Sequence, residues 1–135
     1  MREIIFRGKR IDNGEWMYGD FVLNGCGIAY TDYLNEYGDV GEVYCKVIPE
    51  TIGQYTGLTD KNGTKIFEGD IVKTDKFSEP NKQYIIKFDL QFGAFIGQDK
   101  YNMYFVTFDG DSDQFEIIGN IHDNPELLKE RDNNE

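Results

Sequence analysis

The segment from Thr51 to Val72 constrains the fold of this chain more than any other. It reads TIGQYTGLTDKNGTKIFEGDIV, with spaced glycines between single aromatic and aliphatic residues. The Asn-Gly pair at positions 62–63 predicts a hairpin, because both turn positions tolerate positive φ. Glu-Gly-Asp at 68–70 is typical of a tight bend, and the apolar pair that follows is typical of a buried strand. The segment therefore predicts short strands joined by tight turns.

Alternation with a period of two continues through the rest of the chain. A second Asn-Gly pair, at 13–14, predicts an N-terminal hairpin into which Trp16, Tyr18 and Phe21 bring large side chains. Residues 24–43 fit either a long hairpin or a loop. The remaining strand predictions are residues 1–6, 16–23, 44–48, 57–58, 64–67, 71–74, 83–88, 94–98, 103–108 and 114–118.

One helix is predicted, near the end of the chain. Asn124 suits the N-cap, Pro125 the first helical position, and Glu126 the positive end of the helix dipole. Many short strands closed by one short helix indicate a mainly β fold: an SH3-like small barrel with an N-terminal β-hairpin subdomain. The predicted organisation is a hairpin subdomain over 1–48, the barrel and its closing helix over 49–131, and a frayed tail over 132–135.

Composition narrows the classes of partner. The 135 residues carry 25 acidic and 14 basic side chains, a formal net charge of −11. Long-range repulsion then disfavours non-specific binding to nucleic acid or anionic lipid, although an acidic surface also suits a decoy for a basic protein. The short apolar run at residues 4–6 is too brief for a secretory signal, and no run fits a membrane helix, so we expect a cytoplasmic protein. Cys26 and Cys45 are isolated and are expected to be packed or surface thiols.

Three carboxylates, Asp109, Asp111 and Asp113, alternate as at the start of a calcium loop. The resemblance to an EF-hand fails because Gln114 and Asn120 stand where such a loop needs Gly and Glu. We expect a solvated hairpin turn, with weak cation binding as the alternative. No metal or other cofactor is predicted.

His122 is the only histidine, and Asp123 beside it could orient the ring. General base catalysis also needs a nucleophile and a pocket, for which the sequence has no motif, so we expect a structural or solvent-facing histidine. The glycines between Thr51 and Gly69 are too widely spaced for a phosphate loop and are expected to form turns.

The basic residues Arg2, Arg7, Lys9 and Arg10 form a cluster near the N-terminus. With Phe6 and Trp16 close by, this cluster could contact a nucleic-acid backbone. Charged residues also protect strand edges from aggregation, and ion pairs with the many acids are an equally simple use for them. We therefore predict that nucleic acid is not a partner of this cluster.

Three blocks of sequence resemble the YopX protein family: FRGKRIDNGEWMYGDF (6–21), VIPETIGQYTGLTDKNGTKIFEGDIV (47–72) and EIIGNIHDNPELL (116–128). The family occurs mainly in phages and prophages of Gram-positive bacteria. It has no established biochemical activity, so no catalytic residues are transferred. The resemblance implies a mainly β fold with an SH3-like portion, and self-assembly. Residues 24–46 and 77–107 lack a matching motif.

These observations predict a non-enzymatic phage or prophage accessory protein that acts by binding, forms homo-oligomers and contacts a host protein. The alternative is a nucleic-acid-linked role, through direct binding by the barrel or through acidic mimicry of DNA. An enzyme is the third hypothesis. It would depend on Asp109, Asp111 and Asp113 with a divalent ion, or on His122 with Asp123.

Overall fold

Antiparallel strands joined by tight turns make up most of the protein. The computed structural model describes residues 3–22, 27–33, 40–74, 82–99, 104–106 and 114–128, with the backbone alone for 29–33, 40–42 and 104–106. The strands are β1 (Phe6–Lys9), β2 (Trp16–Val22), β3 (Gly27–Tyr33), β4 (Val40–Lys46), β5 (Gly53–Thr59), β6 (Lys65–Phe67), β7 (Asp70–Thr74), β8 (Lys82–Asp89), β9 (Ala94–Gln98), β10 (Tyr104–Val106) and β11 (Glu116–Asn120). A 3-10 turn spans Pro49–Thr51, and residues 125–128 are helical.

The strands form two antiparallel sheets, ordered β4-β3-β2-β1-β5-β6 and β10-β9-β8-β7-β11. The chain divides into two compact units, Met1–Tyr55 and Thr56–Glu135, so the division lies within β5. The boundary that the sequence analysis places after residue 48 stays a prediction. The helix over 125–128 is far too short to cross a lipid bilayer, and the described residues contain no longer apolar helix.

In the first unit the sheet curls so that the ends of β1 and β4 meet. Arg10 pairs with Val47 across this junction, and the Ile48 N–H donates to the Lys9 carbonyl at 2.8 Å. Ile28, Cys45 and Val47 are buried here. Gly8 allows the close approach, since a Cβ at this position would lie 2.9 Å from a Val47 methyl group. The buried Cys45 fits the expectation of a packed thiol, and Cys26 lies outside the described residues.

The second unit has its own core, on one face of the β7–β8–β9 sheet. Its buried members are Ile66, Val72, Tyr84, Ile86 and Phe115, with Leu58, Phe95 and Ile117 packed against them. The sheet is covered on its other face as well, because Ile71 and Ile96 are also buried. The Thr51–Val72 segment therefore supplies β5, β6, the start of β7 and much of the core, as its pattern predicts.

The predicted mainly β fold with a short helix is confirmed, and closure into an SH3-like barrel stays a prediction. Both Asn-Gly hairpins form, with Gly14 and Gly63 at φ of 74° and 83°. The described part of residues 24–43 takes the hairpin alternative: β3 and β4 pair from Gly27 with Lys46 to Tyr33 with Val40. The first strand, predicted over residues 1–6, instead spans Phe6–Lys9.

Asn124 precedes the helix as predicted, but its side-chain oxygen bonds to the strand before the helix. Its Oδ1 accepts a hydrogen bond from the Asn120 N–H at 3.1 Å, which ties the helix start to the end of β11. Gly119 permits this contact, because a Cβ there would lie 2.5 Å from Asn124 Oδ1. The sequence pattern predicts where the helix starts and misses this link.

Candidate functional site

Asp60 is a buried carboxylate that organises the turn between β5 and β6. Its side chain is 5% exposed. Oδ1 accepts the N–H groups of Asn62 and Thr64 at 2.9 and 3.0 Å, and Oδ2 accepts the Ile117 N–H at 3.0 Å. The residue thus joins a local turn to a strand 57 residues later in the chain. Its role is structural: it belongs to the Asp-Lys-Asn-Gly hairpin signal, and the bond to Ile117 adds a link that the signal does not contain.

Gly69 and Asp70 serve backbone geometry in the same way. Asp70 is buried and accepts the Phe67 N–H at 2.7 Å, which closes the bend. Gly69, at φ 90°, donates to the Ile86 carbonyl and accepts from the Ile121 N–H. Gly63 and Gly69 adopt positive φ in turns, as predicted, whereas Gly57 has a positive φ within β5, where the turn prediction is wrong.

The basic cluster is held by interactions within the protein. Arg7 is 6% exposed, and its guanidinium carbon lies 4.5 Å from the centroid of the Trp16 ring. Lys9 Nζ lies 5.8 Å from the same centroid. Such cation–π contacts stabilise buried or half-buried cations. Arg7 and Lys9 of the cluster therefore pack against Trp16 of the same chain. Arg2 lies outside the described residues.

Arg10 extends from the turn after β1 and forms a bidentate ion pair with Asp12. Nε lies 2.8 Å from Oδ1, and the second contact, to Oδ2, is 2.6 Å. The hydrogen bonds between the two side chains lower the pKa of Asp12 and raise the pKa of Arg10. Both groups are solvent-exposed, so the pair orders the turn more than it stabilises the fold.

His122 and Asp123 lie in the turn that follows β11. Asn120 Oδ1 accepts the N–H groups of both residues, at 3.0 and 2.9 Å, and Asp123 Oδ2 accepts from Asn120 Nδ2 at 3.1 Å. The His122 side chain is half-buried. This geometry gives the segment a turn-forming role. The sequence expectation of a structural histidine is consistent with it.

Asp109, Asp111 and Asp113 lie outside the described residues. Within the described part of the chain, no three His, Cys, Asp or Glu side chains come together in a way that could hold a metal ion. An ion pair between half-buried Lys82 and buried Asp99 lies at the open end of the β8–β9 hairpin, where Lys82 Nζ is 2.9 Å from Asp99 Oδ2. Lys82 also lies near the Tyr84 ring, at 5.9 Å, so this pair links the strand ends to the core.

The feature most suggestive of binding is the turn between β8 and β9, residues 88–93, here called the hairpin tip. Leu90 is 90% exposed, and Phe92 and Phe88 are 44% and 42% exposed. Asp89 Oδ1 accepts the N–H groups of Gln91 and Phe92 at 2.8 and 3.1 Å, which fixes the turn. The sequence interpretation missed this tip, although apolar residues at alternate positions through a turn are an unusual pattern.

A second set of exposed apolar residues lies in the first unit. Ile11, Tyr18, Tyr44 and Ile48 are 61%, 49%, 42% and 38% exposed. Of these, Tyr18 lies beside Arg7 in the strand register, and Trp16 lies beside Lys9. Arg7, Lys9, Trp16 and Tyr18 therefore share one face of the sheet. This face combines aromatic and basic residues.

Comparison with known proteins agrees with the resemblance read from the sequence. The family model described as "YopX protein" matches residues 6–129. A crystal structure of protein EF1440 from Enterococcus faecalis is similar, with a TM-score of 0.61 and 28% sequence identity over 95% of this chain and 99% of that one. No curated protein matches. Because the family model covers nearly the whole chain, the protein belongs to the YopX protein family.

Proposed function

We propose that the protein acts by binding other macromolecules and by self-assembly, as a phage or prophage accessory protein in the host cytoplasm. The observation that carries the proposal is the hairpin tip, where a Leu side chain is 90% exposed on a turn fixed by hydrogen bonds. Ordered elements that hold large apolar side chains in water are typical of contact surfaces. The family, with no established activity, fits an accessory role.

The polar residues support the same reading. Asp60 and Asp70 direct their oxygens to backbone N–H groups, and Asn120 does so in the turn that contains His122. Side chains committed to such bonds are poorly placed to transfer protons to a substrate. The chemistry available at these positions is therefore that of a scaffold.

Affinity capture from the host cell, combined with sedimentation of the purified protein, tests the proposal. We expect a specific host protein in the eluate, or a mass above the 15.6 kDa of one chain, or both. The captured protein must bind the purified chain directly. A chain that stays monomeric at all concentrations and retains no direct binder would refute the proposal.

Direct nucleic-acid binding is the second candidate, and one observation favours it. Tyr18 is exposed on the same sheet face as Lys9 and Trp16, and aromatic residues beside cations form stacking surfaces for single strands. The existing cation–π contacts on Trp16 argue against it, since they occupy the indole ring. Titration of single-stranded DNA and RNA at low salt decides: Trp16 fluorescence and a gel shift respond together if the face binds. Mimicry of DNA predicts instead the capture of a basic nuclease or repressor.

A further inference from the structure

The turn between β5 and β6 contains an Asn-Gly bond in an open, exposed position. Asn62 and Gly63 are both exposed, and a Cβ added at Gly63 would meet no atom within 4 Å. Asn62 is held through its backbone N–H, and its side-chain amide has no hydrogen-bond partner within the described part of the chain. Because glycine has no Cβ, its nitrogen is accessible to the side-chain amide carbon of the asparagine before it.

This arrangement permits an intramolecular reaction that needs only water. The Gly63 nitrogen gives up its proton and bonds to Cγ of Asn62, the Cγ–Nδ2 bond breaks, and the NH2 group leaves with that proton as ammonia. Water then opens the resulting succinimide at either of its two carbonyl groups. One opening gives aspartate. The other gives isoaspartate, in which the main chain runs through Cβ and Cγ and is one carbon longer.

The reacting turn is tied to a distant strand of the second unit through Asp60. One carboxylate oxygen accepts the N–H groups of Asn62 and Thr64 at 2.9 and 3.0 Å, and the other accepts the Ile117 N–H at 3.0 Å. The two turn N–H groups must converge on one oxygen for this carboxylate to reach Ile117 as well. The geometry of the turn and its link to β11 therefore depend on each other.

A second link joins the same turn to the core of the second unit. The Lys61 N–H donates to the Phe115 carbonyl at 2.9 Å, and the Phe115 side chain is 1% exposed within that core. Lys61 Nζ also lies 3.9 Å from Glu116 Oε1. A change in the shape of the turn is therefore transmitted to residues that the second unit buries.

We propose that Asn62 converts spontaneously to isoaspartate and that this modification releases the turn from β11 and loosens the second unit. The additional main-chain carbon lies between the N–H groups of residues 62 and 64, so the two no longer converge on one Asp60 oxygen. The product also carries a negative charge close to the Asp60 carboxylate. The modification is independent of the binding proposed above, since it needs no partner.

The hydrogen bonds of the turn set the expected rate. The Gly63 N–H donates to the Asp60 carbonyl at 3.0 Å, and this bond must open before the nitrogen attacks. Opening one neutral hydrogen bond slows the reaction about 2–10-fold relative to an unstructured peptide of the same sequence. Loss of the charged bond from Ile117 to Asp60 should then raise the unfolding equilibrium constant of the modified chain about 10–100-fold.

The other Asn-Gly pair, Asn13–Gly14, provides an internal comparison. It is equally exposed, and its glycine also has a positive φ, 74°. Its hydrogen bonds stay local: Asn13 Oδ1 accepts the Glu15 N–H at 2.9 Å, and the Gly14 N–H donates to the Arg10 carbonyl at 3.0 Å. Conversion at Asn13 should therefore alter an exposed turn and leave the second unit unchanged.

Incubation of the purified chain in mildly alkaline buffer, beside a synthetic peptide of residues 59–66, tests the proposal. Peptide mass spectrometry locates isoaspartate, and urea unfolding measures stability. Asn62→Gln blocks the reaction because attack would have to close a larger ring, whereas Asn13→Gln leaves Asn62 intact. Asn62→Asp adds the charge without the additional main-chain carbon.

We expect the wild type and Asn13→Gln to accumulate isoaspartate at position 62 and to lose stability together, while Asn62→Gln and Asn62→Asp keep their initial midpoints. Treatment with a protein isoaspartate methyltransferase, which converts isoaspartate back to succinimide, should restore the midpoint of the aged wild type. Asn62 that stays intact after the peptide has reacted would overturn the site. Isoaspartate at 62 without loss of stability, or an equal loss in Asn62→Gln, would overturn its consequence. Equal instability of unaged Asn62→Asp would overturn the role of the longer main chain.

Discussion

Replacing Asp60 by Asn tests the structural role of its carboxylate with almost no change in side-chain shape. Asp60 accepts three backbone N–H groups, two through Oδ1 and one through Oδ2. An Asn side chain keeps one oxygen and presents an NH2 group in place of the other. If the oxygen stays with Asn62 and Thr64, the NH2 group faces the Ile117 N–H, and two donors oppose each other.

The magnitude follows from these three bonds. A hydrogen bond to a charged acceptor contributes about 1.5–3 kcal/mol, and the bond to Ile117 is lost outright. The two remaining bonds lose their charge assistance and roughly half of their strength, about 1–2 kcal/mol together. We expect Asp60→Asn to lower the free energy of unfolding of the second unit by about 3–4 kcal/mol, a large share of the 5–15 kcal/mol typical of a domain.

Urea unfolding and amide exchange in β7 and β8 would measure the loss, and Asp89→Asn is the matched control. Asp89 also accepts two backbone N–H groups, but both through Oδ1, which Asn retains. The control should therefore change the free energy of unfolding by less than about 1 kcal/mol. Equal effects of the two substitutions would refute the reasoning, because only Asp60 loses a bond outright, and its two remaining bonds are part-buried whereas those of Asp89 are exposed.

Three further predictions concern the first unit. Burial raises the pKa of Tyr55 above 10.0. The stability that its neutral form contributes is therefore present below that pH and lost as pH rises through the folded-state pKa. Tyr55→Phe should flatten the fall in urea midpoint between about pH 9 and 11, and an unchanged slope would contradict this. The hydrogen bond from Arg10 lowers the pKa of Asp12, so Arg10→Gln should raise it towards 3.8 in an NMR titration, with little change in stability; an unmoved titration would show that the pair does not persist in solution. Gly27→Ala would place a Cβ 2.5 Å from the Cys45 carbonyl oxygen and should cost about 1–3 kcal/mol in urea unfolding; a neutral effect would mean that the β3–β4 pair can move apart.

Local patterns predicted much of the fold because local chemistry decides it. Asn-Gly pairs specify turns whatever surrounds them, so both hairpins were predictable. The apolar residues of the Thr51–Val72 segment were predictable as core for the same reason: Ile66, Phe67, Ile71 and Val72 are all buried. The starting position of β1 was not, since charged residues at its edge carry no clear alternation and pairing with β2 sets its extent.

The candidate surfaces were less predictable, because exposure and side-chain pairing depend on contacts far along the chain. Arg7 reads as a surface cation in the sequence, yet it is buried against Trp16 from the neighbouring strand. Leu90 lies in a stretch where apolar and polar residues alternate, as in a strand, yet the turn fixed by Asp89 leaves it in water. The bond from the Ile117 N–H to Asp60 spans 57 residues, and no local pattern encodes it.

The many turns of this fold also explain part of its acidity. Short strands leave backbone N–H groups at each turn without a strand partner, and buried or half-buried donors need an acceptor. Asp60, Asp70 and Asp89 supply that acceptor within the second unit, where an Asn performs the same task at position 120. Turn geometry fixes the positions of these Asp side chains. A DNA mimic needs its carboxylates at the regular spacing of DNA phosphates instead. The net charge of −11 is therefore weaker support for mimicry than its size suggests, and the exposed apolar residues of the hairpin tip are the better place to search for a contact.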